Sequence, residues 1–254
     1  MHLKIKHFVL FLTIIVFLSC KQDNYQLLKI EGRQIQIDSS LSKKELIEEF
    51  VAPYRNRINE VLDSTLAYAP KAITKTDGEL NTTAGNLMAD IVFNQSNPVF
   101  KARTGKSIDF VLLNHGGIRA IISEGKVSAR NAFEVMPFEN NIVVAELKGS
   151  DVNDMISYLI KSGRAHPISG MQLILDKTKT VKSIRIQEKP LDVDKTYYVA
   201  TSDYLVSGGD NMGFFKNNTS ITDTDYLIRN AMIDYFKKVD TLAPKVDDRF
   251  YIEN

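Results

Sequence analysis

The period of the apolar positions changes several times along this chain, and each change predicts a different element. Residues 8–18 are an apolar run, and segments 25–30 and 33–38, broken at Gly32, alternate weakly enough to predict two short strands. Ser42-Lys43-Lys44-Glu45 has the form of a capping box. Behind it, Leu46, Ile47, Phe50, Val51, Tyr54, Ile58, Val61 and Leu62 recur at helical spacing, with Pro53 expected to kink or split the helix. A strand is predicted over 66–74. Asn81-Thr82-Thr83 then caps a helix whose apolar face holds Leu87, Met88, Ile91, Val92 and Phe93. Residues 108–113 read as a buried strand, Ser128 as the cap of a short helix through Phe133, and 141–147 as a strand ended by Gly149. Ser150 caps a helix to about Lys161, with Val152, Met155, Ile156, Leu159 and Ile160 inward. Residues 171–175 and 181–186 alternate around a polar turn and predict a hairpin. A strand over 197–200 follows. Asp223 or Thr224 then caps a last helix carrying Leu227, Ile228, Ala231, Met232, Tyr235 and Phe236. Strands and helices are intermixed, so the expectation is an α/β or α+β domain, a mixed β-sheet with flanking helices.

Two of the apolar runs end in paired glycines. The first empties into Asn114-His115-Gly116-Gly117-Ile118-Arg119, the second into Ser202-Asp203-Tyr204-Leu205-Val206-Ser207-Gly208-Gly209-Asp210. Paired glycines let backbone N–H groups approach a ligand closely. Asn114 adds an amide and Arg119 a forked cation, which together suit a polar, anionic small molecule. The same residues also make a tight turn with a surface arginine, and the pattern alone leaves both readings open.

Between these turns lies Met136-Pro137-Phe138-Glu139-Asn140-Asn141. In order, N-x-G-G-I-R, P-F-x-N and Y-L-x-x-G-G-D resemble the C-terminal, nucleotide-binding domain of the 5'-nucleotidase family, over roughly residue 45 to the C-terminus. Gly85-Asn86-Leu87 is similar to that family's G-N-L at its first domain helix. The resemblance implies a substrate site made of Asn114, Gly116, Gly117, Arg119, Phe138, Tyr204, Gly208, Gly209 and Asp210. Phe138 and Tyr204 would sandwich the base, Asp210 would accept the ribose hydroxyls, Arg119 would contact the sugar–phosphate part and Asn114 would lie near the base. Tyr204 stands where many relatives have phenylalanine, which keeps the π-face and adds a hydroxyl. Thr76-Asp77-Gly78-Glu79-Leu80 lacks an arginine that such relatives usually carry.

The N-terminus has its own chemistry. A basic start, a short apolar run and Phe17-Leu18-Ser19-Cys20 form a secretory signal over 1–19 that resembles a bacterial lipobox, with Cys20 lipidated. An ordinary signal peptide or an anchor helix reads similarly. Lys21 follows where an aspartate would resemble inner-membrane retention, so the expected address is the outer membrane, periplasmic or surface-facing. The expected organisation is 1–19 signal, 20–41 lipidated cysteine with tether and short strands, and 42–254 one 5'-nucleotidase C-terminal-like domain. Cys20 is the sole cysteine, so no intramolecular disulfide forms. A net charge of +1, with no basic block among aromatics, argues against nucleic acid as a partner.

In the family, hydrolysis belongs to a separate N-terminal metallophosphatase domain holding two metals through Asp, His and Asn. Of four histidines here, His2 and His7 lie in the signal, leaving His115 and His166. A histidine-rich dinuclear site cannot be built from two. The expectation is therefore no catalytic residue, metal or cofactor on this chain, with divalent metals on a partner metallophosphatase. Three functions remain open: the substrate-recognition half of a split 5'-nucleotidase, a non-catalytic nucleoside-binding envelope lipoprotein, and a scaffold that kept the fold and lost the ligand.

Overall fold

The structure, a computed structural model, describes residues 2–18, 27 and 29–253. Cys20, and residues 25, 26 and 28 of the strand expected over 25–30, lie outside the described residues. The chain divides into two units, Met1–Phe50 and Val51–Asn254. The first holds helix α1 (His2–Leu18), and its described residues from 29 to 44 are irregular. Residues 33–38 do not form the expected strand: Ile35 and Ile37 are 78% and 87% exposed, and among the described residues no strand takes up their backbone groups. No helix among the described residues is long and apolar enough to cross a membrane.

Helix α2 (Glu45–Leu62) opens on the Lys44 carbonyl rather than on Ser42, so the expected capping box is displaced. It runs through Pro53 without splitting. None of its residues is buried, so water can satisfy the carbonyl that the proline leaves without a donor.

The second unit continues as β1 (Thr65–Ala69), α3 (Thr83–Thr104), β2 (Phe110–Leu112), β3 (Gly125–Ser128), α4 (Ala129–Val135), β4 (Asn141–Lys148) and α5 (Gly149–Ser162). Then come β5 (Ile168–Ser169), β6 (Met171–Leu175), β7 (Val181–Ile186), β8 (Lys189–Pro190), β9 (Thr196–Ser202), α6 (Asp203–Val206), β10 (Ser220–Leu227), α7 (Ile228–Lys238) and β11 (Phe250–Ile252). The central sheet has five strands in the order β10-β4-β9-β2-β5. β2 and β9 are parallel and the other pairs antiparallel, so the sheet is mixed.

Alternation along the strands splits the core in two. Val111 and Leu113 pack with Ile142, Val144 and helices α3 and α7 on one face. Phe110 and Leu112 pack with Leu147, Val199 and helix α5 on the other. That second face is closed by the sheet β11-β6-β7-β8, in which the expected hairpin pairs Met171 with Ile186 and Leu173 with Ile184.

Two expected caps are misplaced. Helix α5 opens two residues early, with Lys148 at its N-cap and Ser150 inside the first turn. Asp223 and Thr224 do not cap α7; they belong to β10, where Asp223 pairs with Val143 and the Thr224 hydroxyl donates to the Ile142 carbonyl at 2.6 Å. Sheet pairing there overrides a local signal that is equally good for a helix start. By contrast Thr82 caps α3 as expected, accepting the Gly85 N–H at 3.2 Å.

The C-terminal segment is tied back to the start of α3. The Asn81 side-chain amide donates to the Asp247 and Phe250 carbonyls, and Asn86 donates to the Lys245 carbonyl. The Arg249 guanidinium reaches Asp90, Asp247 and the Ile168 carbonyl.

Candidate functional site

The parallel strands β2 and β9 lie side by side, so the two glycine turns emerge at the same end of the sheet. Their juxtaposition follows from topology, since ligands in open sheets gather where parallel strands end. In the first turn Asn114 is buried, and residues 115–117 form a 3-10 turn closed by the Gly117 N–H on the Asn114 carbonyl at 3.1 Å. Gly117 is required by space: a Cβ there would lie 2.8 Å from Asn114 Oδ1.

The second turn is built differently. Ser202 caps the short helix α6, and Gly208 then takes φ +96°. Asp210 and Asn211 follow at φ +50° and +59°, a left-handed pair that non-glycine residues rarely adopt. Gly209 admits the Tyr204 ring, whose Cε1 would lie 2.4 Å from a Cβ at that position.

The turns are joined through Asp210. Asn114 Nδ2 donates to Asp210 Oδ2 at 2.7 Å, and the Tyr204 hydroxyl donates to Oδ1 at 3.2 Å. The carboxylate is thus oriented from both sides and keeps acceptor capacity toward the cavity.

That cavity, about 260 Å³, is lined by Asn114, Gly116, Gly117, Arg119, Phe138, Asn140, Tyr204 and Asp210. Seven of the nine residues proposed from sequence line it; Gly208 and Gly209 do not, and act instead on the conformation that carries Tyr204 and Asp210. Phe138 and Tyr204 are 42% and 45% exposed. Their rings are therefore not core. The Arg119 guanidinium lies 5.9 Å from the Phe138 ring centre. A larger polar cleft of about 510 Å³, lined by Gln172, Arg185 and Arg249 among others, has no aromatic wall.

Sequence reasoning passed over several residues. Asn140 was in plain view as the last letter of P-F-x-N. Arg229, buried on α7, donates to the Pro137 and Phe138 carbonyls and stacks 4.3 Å from the Phe133 ring centre, fixing the loop that presents Phe138. Lys75 Nζ donates to the Ile118 carbonyl at 2.7 Å, one residue before Arg119. No local pattern signals the last two, because both contacts cross the fold.

Behind the first turn, His166 is buried and accepts the His115 N–H at Nδ1, while its Nε2 lies 2.9 Å from Ser162 Oγ. Burial holds its pKa down at about 4, against a smaller opposing pull from the Leu113 backbone. Among the described residues no group of three or more His, Cys, Asp or Glu is disposed to hold a metal ion.

A mixed sheet that sets two glycine turns, two exposed rings, a forked cation and an oriented carboxylate around one cavity defines a small-molecule recognition domain. Residues 63–217 match the family model for the 5'-nucleotidase C-terminal domain, and the chain belongs to that family. It is 25% identical over 238 residues to protein UshA of Escherichia coli, covering 89% of this chain and 42% of that one. With UshA of Yersinia enterocolitica identity is 31% over 134 residues, 51% of this chain and 24% of the relative. Among solved structures, the 5'-nucleotidase precursor of Thermus thermophilus superposes with a TM-score of 0.68 at 22% identity, covering 82% of this chain and 43% of that chain. The NAD nucleotidase of Haemophilus influenzae gives 0.63 at 18%, covering 83% and 42%. The chain spans less than half the length of each of these relatives.

Proposed function

We propose that the cavity binds a nucleoside or nucleotide and that the chain is the substrate-recognition half of a 5'-nucleotidase whose metallophosphatase is a separate polypeptide. The observation that carries this reading is the convergence of two exposed aromatic rings with an oriented carboxylate and an arginine. Phe138 and Tyr204 take the base, a contact worth roughly 1–3 kcal/mol per ring. Asp210 accepts the ribose hydroxyls, and Arg119 holds the phosphate. Lys75 adds a second cation beside Arg119, offsetting the arginine missing from residues 76–80. Neither cation has an acidic partner among the described residues.

In this reading the chain's own chemistry is orientation: it presents the phosphate to metals held elsewhere, which polarise the phosphoryl group and activate water. Lipidation at Cys20 would keep the pair at the cell envelope, and Cys20→Ala should then move the protein from the membrane to the soluble fraction. Calorimetric titration of the full-length protein with adenosine, AMP and a UDP-sugar tests the site, and adenosine should bind. The chain alone should not hydrolyse AMP with Mg²⁺, Mn²⁺ or Zn²⁺, and should raise turnover when mixed with its metallophosphatase. Metal-dependent hydrolysis by the isolated, contaminant-free chain would refute the division of labour. The second reading, a nucleoside binder that catalyses nothing, is favoured by the absence of an arginine from residues 76–80, and predicts binding with no gain in turnover.

A further inference from the structure

The rear of the two glycine turns is not hydrophobic core. It is a cleft of about 550 Å³ lined by Tyr158, Lys161, Ser162, Arg164, His166, Asp210 and Asn211. Packing alone therefore does not hold the turns from that side, and what does is polar and comes from one stretch of chain. Helix α5 ends at Gly163, which takes φ +58° and turns the chain toward His166. From the last turns of that helix, the Tyr158 hydroxyl donates to the Asp210 carbonyl at 2.9 Å. This is the carbonyl of a residue held at φ +50°, so the bond stabilises the left-handed conformation that aims the Asp210 carboxylate. The Tyr158 ring is itself braced by His166 at 5.5 Å and Phe214 at 5.6 Å.

Four residues past the helix end, His166 Nδ1 accepts the His115 N–H at 3.3 Å, and the Ala165 carbonyl lies 3.1 Å from His115 Nδ1. A ring accepting at Nδ1 carries its proton on Nε2, which faces Ser162 Oγ. The imidazole is thus held in one tautomer by the groups on either side of it.

We propose that Tyr158 and His166 are positioning residues for the nucleoside site, His166 setting the first glycine turn and Tyr158 setting Asp210, so that Tyr158 governs selectivity for ribose over sugars without the vicinal diol. This rests on the reading of the cavity as a nucleoside site. Neither side chain lines that cavity. Both act through the backbone of residues that do or that adjoin them.

The test compares wild type with Tyr158→Phe, His166→Phe and His166→Asn in the full-length protein, using adenosine and 2',3'-dideoxyadenosine in calorimetry and amide exchange without ligand. Tyr158→Phe should weaken adenosine about fivefold, the worth of one hydrogen bond, and leave the dideoxynucleoside within about twofold. It should also speed exchange at Asp210 and Asn211. His166→Phe should speed exchange at His115 and weaken both nucleosides, whereas His166→Asn, whose amide oxygen replaces Nδ1 as acceptor, should restore both. Equal losses of the two nucleosides in Tyr158→Phe, or exchange rates unmoved by Tyr158→Phe and His166→Phe, would overturn the proposal. If wild type binds no nucleoside, the reading of the cavity falls, and amide exchange alone decides whether these side chains hold the turns.

Discussion

The two glycine turns share a sheet end and a cavity, yet only the second also uses glycine to turn the chain through a positive φ. In the first, no residue from 114 to 119 takes a positive φ, and Gly117 is needed because the Asn114 amide occupies the space of a side chain. In the second, Gly208 turns the chain with a positive φ and, after Gly209, the left-handed conformation returns at Asp210 and Asn211, which have no such freedom. One turn is crowded and locally relaxed. The other is crowded too, at Gly209 against the Tyr204 ring, and is in addition held in an uncommon conformation; it carries the carboxylate. Close approach is thus met in both loops, strained orientation in the second alone.

Acid should separate the turns most strongly. Of the two turns, His166 accepts a backbone N–H from the first, and its folded pKa of about 4 is below the ordinary 6.5. Between those values the unfolded chain binds a proton that the folded chain refuses, so stability falls as pH drops from about 6.5 to 4 and levels off below. The full window is worth about 3 kcal/mol. Urea unfolding at pH 7 and 4.5 should show most of this loss in wild type and much less in His166→Asn; equal slopes in the two proteins would remove the histidine from the account.

Crowding the second turn comes next. Gly209→Ala drives a methyl into the Tyr204 ring and should cost about 1–3 kcal/mol in unfolding free energy, with adenosine affinity falling alongside. A variant of unchanged stability that still binds adenosine would show that the ring swings aside freely.

The aromatic walls sharpen the contrast. Phe138→Ala removes one stack, about 1–3 kcal/mol on adenosine and AMP alike. Tyr204→Ala should exceed it, because the hydroxyl that orients Asp210 is lost as well. Tyr204→Phe isolates that hydroxyl, at about 1 kcal/mol, and calorimetry with both ligands reads all three. The smallest expected effect is that of Lys75→Met, about 1 kcal/mol or less on AMP and none on adenosine, since this half-buried cation would act only on the phosphate. Loss of adenosine binding in that variant would mean that Lys75 holds the Ile118 carbonyl for the fold rather than the ligand.

What could be read from sequence was whatever depends on neighbours along the chain. Thr82 caps α3 because its partner is three residues away, and the 171–175 and 181–186 hairpin pairs as its alternation demands. Both glycine turns were visible as apolar runs that stop at paired glycines. What escaped is set by distant partners. Asp223 and Thr224 look like a helix start until β4 claims them as an edge strand. Residues 33–38 alternate like a strand and have no strand to join among the described residues. Likewise Tyr158 looks like any polar tip on an amphipathic helix until its hydroxyl meets a carbonyl 52 residues away.

The matched region stops at residue 217, but the folded unit does not. The last strands and helix bring Ile228, Met232, Phe236, Leu242 and Phe250 into the core, and the tail from 245 to 250 laces onto the first turn of α3. Polypeptides emerge from the ribosome N-terminus first, so α3 is made long before the residues that fasten it. The domain cannot complete itself until residues 245–250 have been made. The matched region alone would leave the side-chain amides of Asn81 and Asn86 without the carbonyls that fasten the start of α3, so a boundary drawn at residue 217 cuts through a folding unit rather than around one.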